Sequence, residues 1–448
     1  MDKYIKYLNK NKMGGVILNK DENINFNKFL KENDIQSAIA ILLTKIQTTG
    51  EKQNVKLKEY IMRIIHNVAT NSNQNLDNFM LAKNLFLDLF ITRQIFNIEE
   101  GDASAVLKLY INGNSDVAEI EILENYILGQ INPITRRILD PLIEFYSKLK
   151  NENKCISLFY LGTRYNIIFN DINYEHFFSS LNIKNHDAKK ISLEIIDYME
   201  KNMLNNITQK TAEILHNVFE NKNQFDLIEI NKLSGMCSKC NKKLNKFNLD
   251  EKEKNIILKY LEDISKSNKN FTKIIEFIKN NPVDYVIDGA NVGFQLEASI
   301  MTINFNKIDN VLKFIGTNSM VFLHSRHFEK LSQDNQKLIS KWESVGIKIC
   351  KSPFKFNDDI SWMYAALYNG AYLISNDEMR DHYVNIYSKV SPVNFKLWKE
   401  LHQITHNFNC SSKLDFVLTY PSVFLNFINK TENTIHFPVD SRWFCLEL

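Results

Sequence analysis

Residues 284–293 read DYVIDGANVG. Tyr285, Val286 and Ile287 have the composition of a short buried strand, and Pro282 precedes them as a boundary. Asp288 sits where that strand should end. Gly289 allows a sharp exit, and Asn291 and Gly293 continue a tight loop. Open α/β sheets bind ligands just beyond the carboxyl ends of their strands, so Asp288 is placed for chemistry. Working outward, a helix ends over Ile274–Asn280. Met320–Leu323 (MVFL) is a second buried strand, ending in His324, Ile347–Cys350 (IKIC) a third and Ala371–Ile374 (AYLI) a fourth. Asn357–Ala366 (NDDISWMYAA) opens a helix on adjacent carboxylates, and Ser375–His382 (SNDEMRDH) leaves the fourth strand. Strands alternating with helices predict a doubly wound parallel sheet over residues 271–407.

Asp288, Asp358, Asp359, Asp377 and Asp381 all follow strands or open helices, places that share one edge of a parallel sheet. Asp377 and Asp381 are four apart, which puts them on one helical face. Gathered carboxylates repel and raise one another's pKa unless a cation neutralises them. Hard oxygen ligands favour Mg²⁺ or Mn²⁺. Such a site can deprotonate water and stabilise charge on a phosphodiester, and two ions about 4 Å apart can clamp both reacting oxygens. The plainer reading of Asp358 or Asp359 is a helix cap, though adjacent residues cannot both cap. Asp381 reads equally well as an exposed helix carboxylate. A carboxylate ending a buried strand, as Asp288 does, is otherwise costly. His324, His327 and His382 read as supporting or structural histidines rather than proton carriers. No GxxxxGK[ST] loop occurs, which disfavours a nucleotide triphosphatase, and GANVG lacks the GxGxxG spacing of a dinucleotide site.

Upstream, Met236–Lys243 reads MCSKCNKK, with Cys237 and Cys240 in a Cys-x-x-Cys turn that can hold one zinc ion. Thr434–Leu446 (TIHFPVDSRWFCL) supplies His436 and Cys445 in short apolar strands joined through Pro438 and Asp440. Together the four make a closed, structural Cys3His site. The alternative is ordinary turn cysteines and a strand histidine. If the four meet, a split, β-rich zinc module covers residues 223–270 and 408–448, and the sheet domain is inserted within it.

Residues 26–222 are helical almost throughout. Ile35–Ile46 and Leu57–Val68 are amphipathic, with apolar residues three and four apart. First helices of further pairs begin near Ala103, Thr135, Tyr174 and Thr208, a spacing of about 32 to 39 residues. Such pairs stack into an α-solenoid. They resemble pentatricopeptide repeats, which read single-stranded RNA; a generic helical repeat is the alternative. Residues 1–25 read as a polar, loosely ordered arm.

The bounds from composition are modest. A chain of 448 residues with 44% hydrophobic and 24% charged residues is ordinary for a multidomain globular protein. The richness in Asn, Lys and Ile matches an A+T-rich genome. A net charge of +3 neither demands nor excludes a nucleic-acid partner. Apolar runs fall short of a membrane helix. Six scattered cysteines do not make a disulfide framework and point to a reducing compartment. The first residues lack the apolar core of a secretory signal and are poor in Arg and Ser, so an intracellular, nuclear or cytoplasmic site is expected over an organelle.

Taken in order, the helical repeats, the CSKC turn, VIDGAN, NDD, SNDEMRDH, WKELHQ at Trp398–Gln403 and the terminal HFP and WFC resemble protein-only RNase P. The resemblance runs from about Phe26 to the C-terminus. It implies a pentatricopeptide domain, a split zinc-binding domain and an NYN/PIN-like metallonuclease that removes the 5′ leader of precursor tRNA without a catalytic RNA. It also implies metal binding by Asp288, Asp358, Asp359 and Asp377, with Asp381 as an outer-sphere helper, and zinc binding by Cys237, Cys240, His436 and Cys445. The repeats diverge most, so no RNA-contacting residue carries over. All four expected Asp ligands are in the chain, which favours an enzyme with no obligate protein partner; a monomer is expected. The other functional expectations are an RNA-decay endonuclease of the same nuclease class and a non-catalytic repeat RNA-binding protein.

Overall fold

A computed structural model describes residues 18–49, 54–71, 74–92, 96–184, 187–220, 224–265, 269–297, 300–329, 331–353, 358–379, 391–408 and 416–448. They form two compact units. The first holds residues up to Tyr198 together with Ile207–Phe225, and the second Met199–Asn206 with Asp226–Leu448.

The first unit is helical. The first helices of successive pairs, Asn54–Thr70, Glu100–Asn112, Arg136–Lys148, Asp171–Ser180 and Gln209–Val218, each lie against the next. The expected starts at Thr135 and Thr208 are the N-caps of two of them. Those near Ala103 and Tyr174 fall three residues late. Both helices open with a polar turn, in which Asp102 accepts from the Glu99 N–H at 2.9 Å, and Asn170 and Asn173 cap each other. Apolar periodicity is blind to such turns. The same effect corrects the expected arm. A helix spans Lys20–Lys31, opened by a reciprocal box in which Asn19 caps the Glu22 N–H and Glu22 caps the Asn19 N–H.

The second unit is built on a six-stranded sheet in the order β5-β4-β1-β6-β7-β8. Its strands are β1 (Tyr285–Asp288), β4 (Ser319–His324), β5 (Lys348–Ser352), β6 (Tyr372–Ile374), β7 (Gln403–Phe408) and β8 (Phe416–Thr419). All pair in parallel except β8, which is antiparallel to β7. Alternation along the strands feeds two cores. Val286, Met320, Phe322 and Leu373 face one, with Trp362 and Trp398. Ile287, Val321, Leu323 and Ile374 face the other, with Phe305 and Trp342. Helices on both faces make the sheet doubly wound, as expected.

Several boundaries move. Helix Glu251–Ser265 sends Ile257, Tyr260 and Leu261 into the sheet's core, so it belongs with the sheet rather than with the zinc module. The sheet also runs past residue 407, through β8. Residues 199–206 join the second unit, where Lys396 donates to the Met203 carbonyl and Ile428 to the Leu204 carbonyl. A hairpin of β2 (Phe294–Glu297) and β3 (Ile300–Ile303) was not foreseen, because neither strand alternates cleanly. The exit from β1 is not a loop but a one-turn helix, Gly289–Gly293, capped by Asp288.

Gly289 is needed for close approach, since a Cβ there would lie 2.7 Å from both the Phe322 carbonyl oxygen and Leu323 Cγ. Gly289→Ala is therefore expected to destabilise the protein by about 1–3 kcal/mol, read as a lowered urea midpoint. An unchanged midpoint would show that β4 yields at no cost.

Candidate active site and metal centres

Parallel pairing brings the carboxyl ends of β1, β4, β5 and β6 to one edge, with Asp288 opposite Phe322 and His324 opposite Ser352. Helix Asp358–Asn369 follows β5 and runs back along the sheet, so its acidic first turn starts at that edge. Asp288 is buried, at 6% exposure. One of its oxygens accepts from the Asn291 N–H at 3.1 Å and the other from Ser375 Oγ at 2.9 Å. Burial pushes its carboxyl up to about 7. The negative charges of Asp359 and Asp358 add to this, against the pull of the two hydrogen bonds. Burial and then the Asp359 charge also raise Asp358, while His324 and Arg326 pull it down. These are acids crowded at one edge, and each Asp288 oxygen keeps a lone pair for a cation.

Asp377 joins this edge through Ser375, whose Oγ accepts from the Asp377 N–H at 3.1 Å. One Asp377 oxygen accepts from the Met379 N–H at 2.8 Å. The segment is not helical, and Met379 is buried at φ 53°, so the expected helical face shared by Asp377 and Asp381 does not form at Asp377. Asp381 and His382 lie outside the described residues, as does Asn357. The carboxylate edge is more open than a closed ligand cage. Among the described residues, only the Cys/His group below has its ligand atoms within 4.8 Å of one another.

The residues that hold the edge were not singled out from the sequence. Gln403, the last residue of WKELHQ, donates through Nε2 to the Ser375 carbonyl at 2.7 Å and to the Asp377 carbonyl at 2.9 Å. Lys399, from the same motif, pairs with Glu378. The quoted motif was the only available signal, and it did not say what these side chains would touch. His324 is buried at the end of β4, and its Nδ1 accepts from the Arg326 N–H at 3.1 Å. His327 accepts from Arg326 Nε at 3.2 Å.

The second centre closes as expected. Strands β9 (Asn429–Lys430), β10 (Thr434–Val439) and β11 (Arg442–Glu447) form a small sheet that sets His436 directly opposite Cys445. Isolated bridges from Ile228 to Trp443 and from Ile230 to Cys237 bring up the Cys-x-x-Cys turn. There the Lys239 and Cys240 N–H groups both donate to Cys237 Sγ at 3.4 Å. Cys240 Sγ lies 3.3 Å from His436 Nε2. Burial, and then its thiol neighbours, push Cys445 well above the ordinary thiol range. Burial also lowers His436 to about 4, leaving a neutral imidazole. Three sulfurs and one neutral imidazole nitrogen, drawn together with all but Cys240 buried, suit a tetrahedral metal site.

The class is thus defined: an α/β sheet with acids along its carboxyl edge and a Cys3His cluster closed by the end of the chain, after helix-pair repeats. Residues 230–444 match the family described as protein-only RNase P. Proteinaceous RNase P 2 of Arabidopsis thaliana is 30% identical over 186 residues, which cover 38% of this chain and 34% of that protein. Proteinaceous RNase P 3 of the same plant is 25% identical over 242 residues, covering 48% and 41%. The chain thus spans well under half the length of these curated relatives. The crystal structure of nuclear proteinaceous RNase P 2 from A. thaliana aligns with a TM-score of 0.55 at 18% identity, over 96% of this chain and 99% of that one, and shares the fold.

Proposed function

We propose that the chain is an endoribonuclease that removes the 5′ leader of precursor tRNA by metal-dependent hydrolysis, without a catalytic RNA. The observation that carries this reading is the buried Asp288. It is crowded by Asp358 and Asp359 and tied through Ser375 to the Asp377 segment, inside the family's domain. Asp288, Asp358, Asp359 and Asp377 would hold Mg²⁺ or Mn²⁺, most simply two ions, with Asp381 acting through the outer sphere. A divalent ion there lowers the pKa of water and offsets charge on the phosphodiester. Ser375 and the Asn291 N–H keep the Asp288 oxygens aimed, and Gln403 keeps the Asp377 loop from relaxing outward. The products are a 5′-phosphate on the tRNA and a 3′-hydroxyl on the leader. Cys237, Cys240, His436 and Cys445 would hold Zn²⁺ structurally.

The helical unit supports an RNA partner. Its first helices line a cavity of about 470 Å³ that includes His66, Lys108, Arg136 and Arg137, side chains suited to phosphate. Among the described residues, no helix is long and apolar enough to cross a membrane. All four proposed Asp ligands lie in one chain, which supports an enzyme that needs no obligate protein partner.

Mapping the cuts on a precursor tRNA in Mg²⁺ tests the reading. One cut at the mature 5′ end, leaving a 5′-phosphate, is expected. Scattered cuts would point to an RNA-decay endonuclease, and binding without cleavage to a repeat RNA-binding protein.

A further inference from the structure

The parallel ladder between β6 and β7 ends with Ile374 opposite Ile404, and the Ser375 N–H still donates to the Ile404 carbonyl at 3.2 Å. There the chain leaves β6 to carry Asp377. The ladder continues because the Asn376 side chain takes over from the backbone. Its Oδ1 accepts from the His406 N–H at 2.9 Å, and its Nδ2 donates to the His406 carbonyl at 2.7 Å. The Asn376 N–H, freed from the ladder, donates to Asn291 Oδ1 at 2.8 Å. That same oxygen lies 2.9 Å from His406 Nε2. An atom that accepts from a backbone N–H is the amide oxygen, so His406 carries its proton on Nε2 and donates. Burial, with Lys307 nearby, keeps the imidazole neutral by lowering it to about 4.

Asn291 lies three residues after Asp288, and Asn376 immediately precedes Asp377. We infer that His406 is a positioning residue. Its backbone grips Asn376 and its ring grips Asn291, which locks the Asp288 segment to the Asp377 segment at one separation. This rests on the functional reading above, in which both carboxylates hold the ions. Like charges at that edge push the segments apart, and a metal site tolerates about 0.5 Å of slack. Three hydrogen bonds around one residue oppose that spreading.

The test compares His406→Met, similar in bulk but without a donor, with His406→Gln, whose Nε2 reaches the place of the imidazole Nε2. Both are set against wild type for Mn²⁺ binding by electron paramagnetic resonance and for precursor cleavage across a Mg²⁺ titration. His406→Met is expected to weaken Mn²⁺ binding and raise the Mg²⁺ half-saturation about tenfold, and to lower kcat about 10- to 100-fold. KM for the precursor should stay within about twofold. His406→Gln should recover most of both losses, which mere filling of space would not predict. Wild-type Mn²⁺ affinity and kcat in the Met variant would overturn the inference, as would a Gln variant as impaired as Met. If the Met variant fails to fold, ¹⁵N-histidine NMR of the wild-type protein decides: an Nε2–H tautomer supports the clamp, and Nδ1–H overturns it. A wild-type protein that neither binds Mn²⁺ nor cleaves would sink the functional reading and the clamp with it. A working wild type with an indifferent Met variant sinks the clamp alone.

Discussion

Asp377→Ala is expected to lower the rate of leader removal by at least about a thousandfold, the loss of several kcal/mol of charge stabilisation. Precursor binding should change by less than about threefold. The two readouts separate because Asp377 is held by its backbone: its N–H bonds to Ser375 Oγ and its carbonyl to Gln403 Nε2. Truncating the side chain removes a carboxylate from the edge and its bond from the Met379 N–H, but leaves the backbone anchors to Ser375 and Gln403 in place. The basic cavity of the helical unit is untouched. Asp358→Ala should behave alike, since Asp358 is one of the crowded acids that a cation would relieve. A loss of precursor binding as large as the loss of rate would count against these residues as metal ligands.

Cys445→Ser is expected to abolish bound zinc and to unfold the small β9–β11 module, leaving the six-stranded sheet in place. A structural zinc site contributes on the order of 10 kcal/mol of folding free energy. Its strands bury Ile435, Phe437, Phe444 and Leu446 elsewhere, but the side that carries the Cys3His group has little else to stand on. Its core is a handful of side chains, among them Ile228, Leu244, Phe424 and Trp443, and two of its members are the proposed ligands Cys237 and Cys445. Asn429 and Asn245 sew its two halves together by reciprocal hydrogen bonds, but these hold only while both halves are ordered. Elemental analysis should find about one zinc per wild-type chain and none in the variant. Hydrogen exchange should show loss of protection confined to residues 228–244 and 429–447. Wild-type protein purified without zinc would remove the Cys3His assignment.

The strands carrying the acids were legible because each is a short apolar run stopped by a polar residue. Asp288, His324 and the Ser375–Asp377 segment stand where those runs end, and parallel alternation put them on one edge. That Cys237, Cys240, His436 and Cys445 come together was legible because three thiols and an imidazole, two of the thiols in a Cys-x-x-Cys turn, suit a single ion, although about two hundred residues separate the pairs.

Local pattern could not show what lies across space. The polar openings at Asn19, Glu99 and Asn170 carry no apolar period, so helices began earlier than expected. Helix Glu251–Ser265 is amphipathic wherever it packs, and only tertiary contact assigns it to the sheet's core. Asp377 and Asp381 have helical spacing, yet Ser375 and Gln403 hold Asp377 in a non-helical stretch, with Met379 turned into the core. Asn291, Asn376 and His406 stand 85 and 115 positions apart along the chain. By itself, then, the sequence determined which groups are available and which strand ends present them. The tertiary structure alone decided how those ends are tied, because a hydrogen bond between distant residues depends on strand register, which no local periodicity encodes.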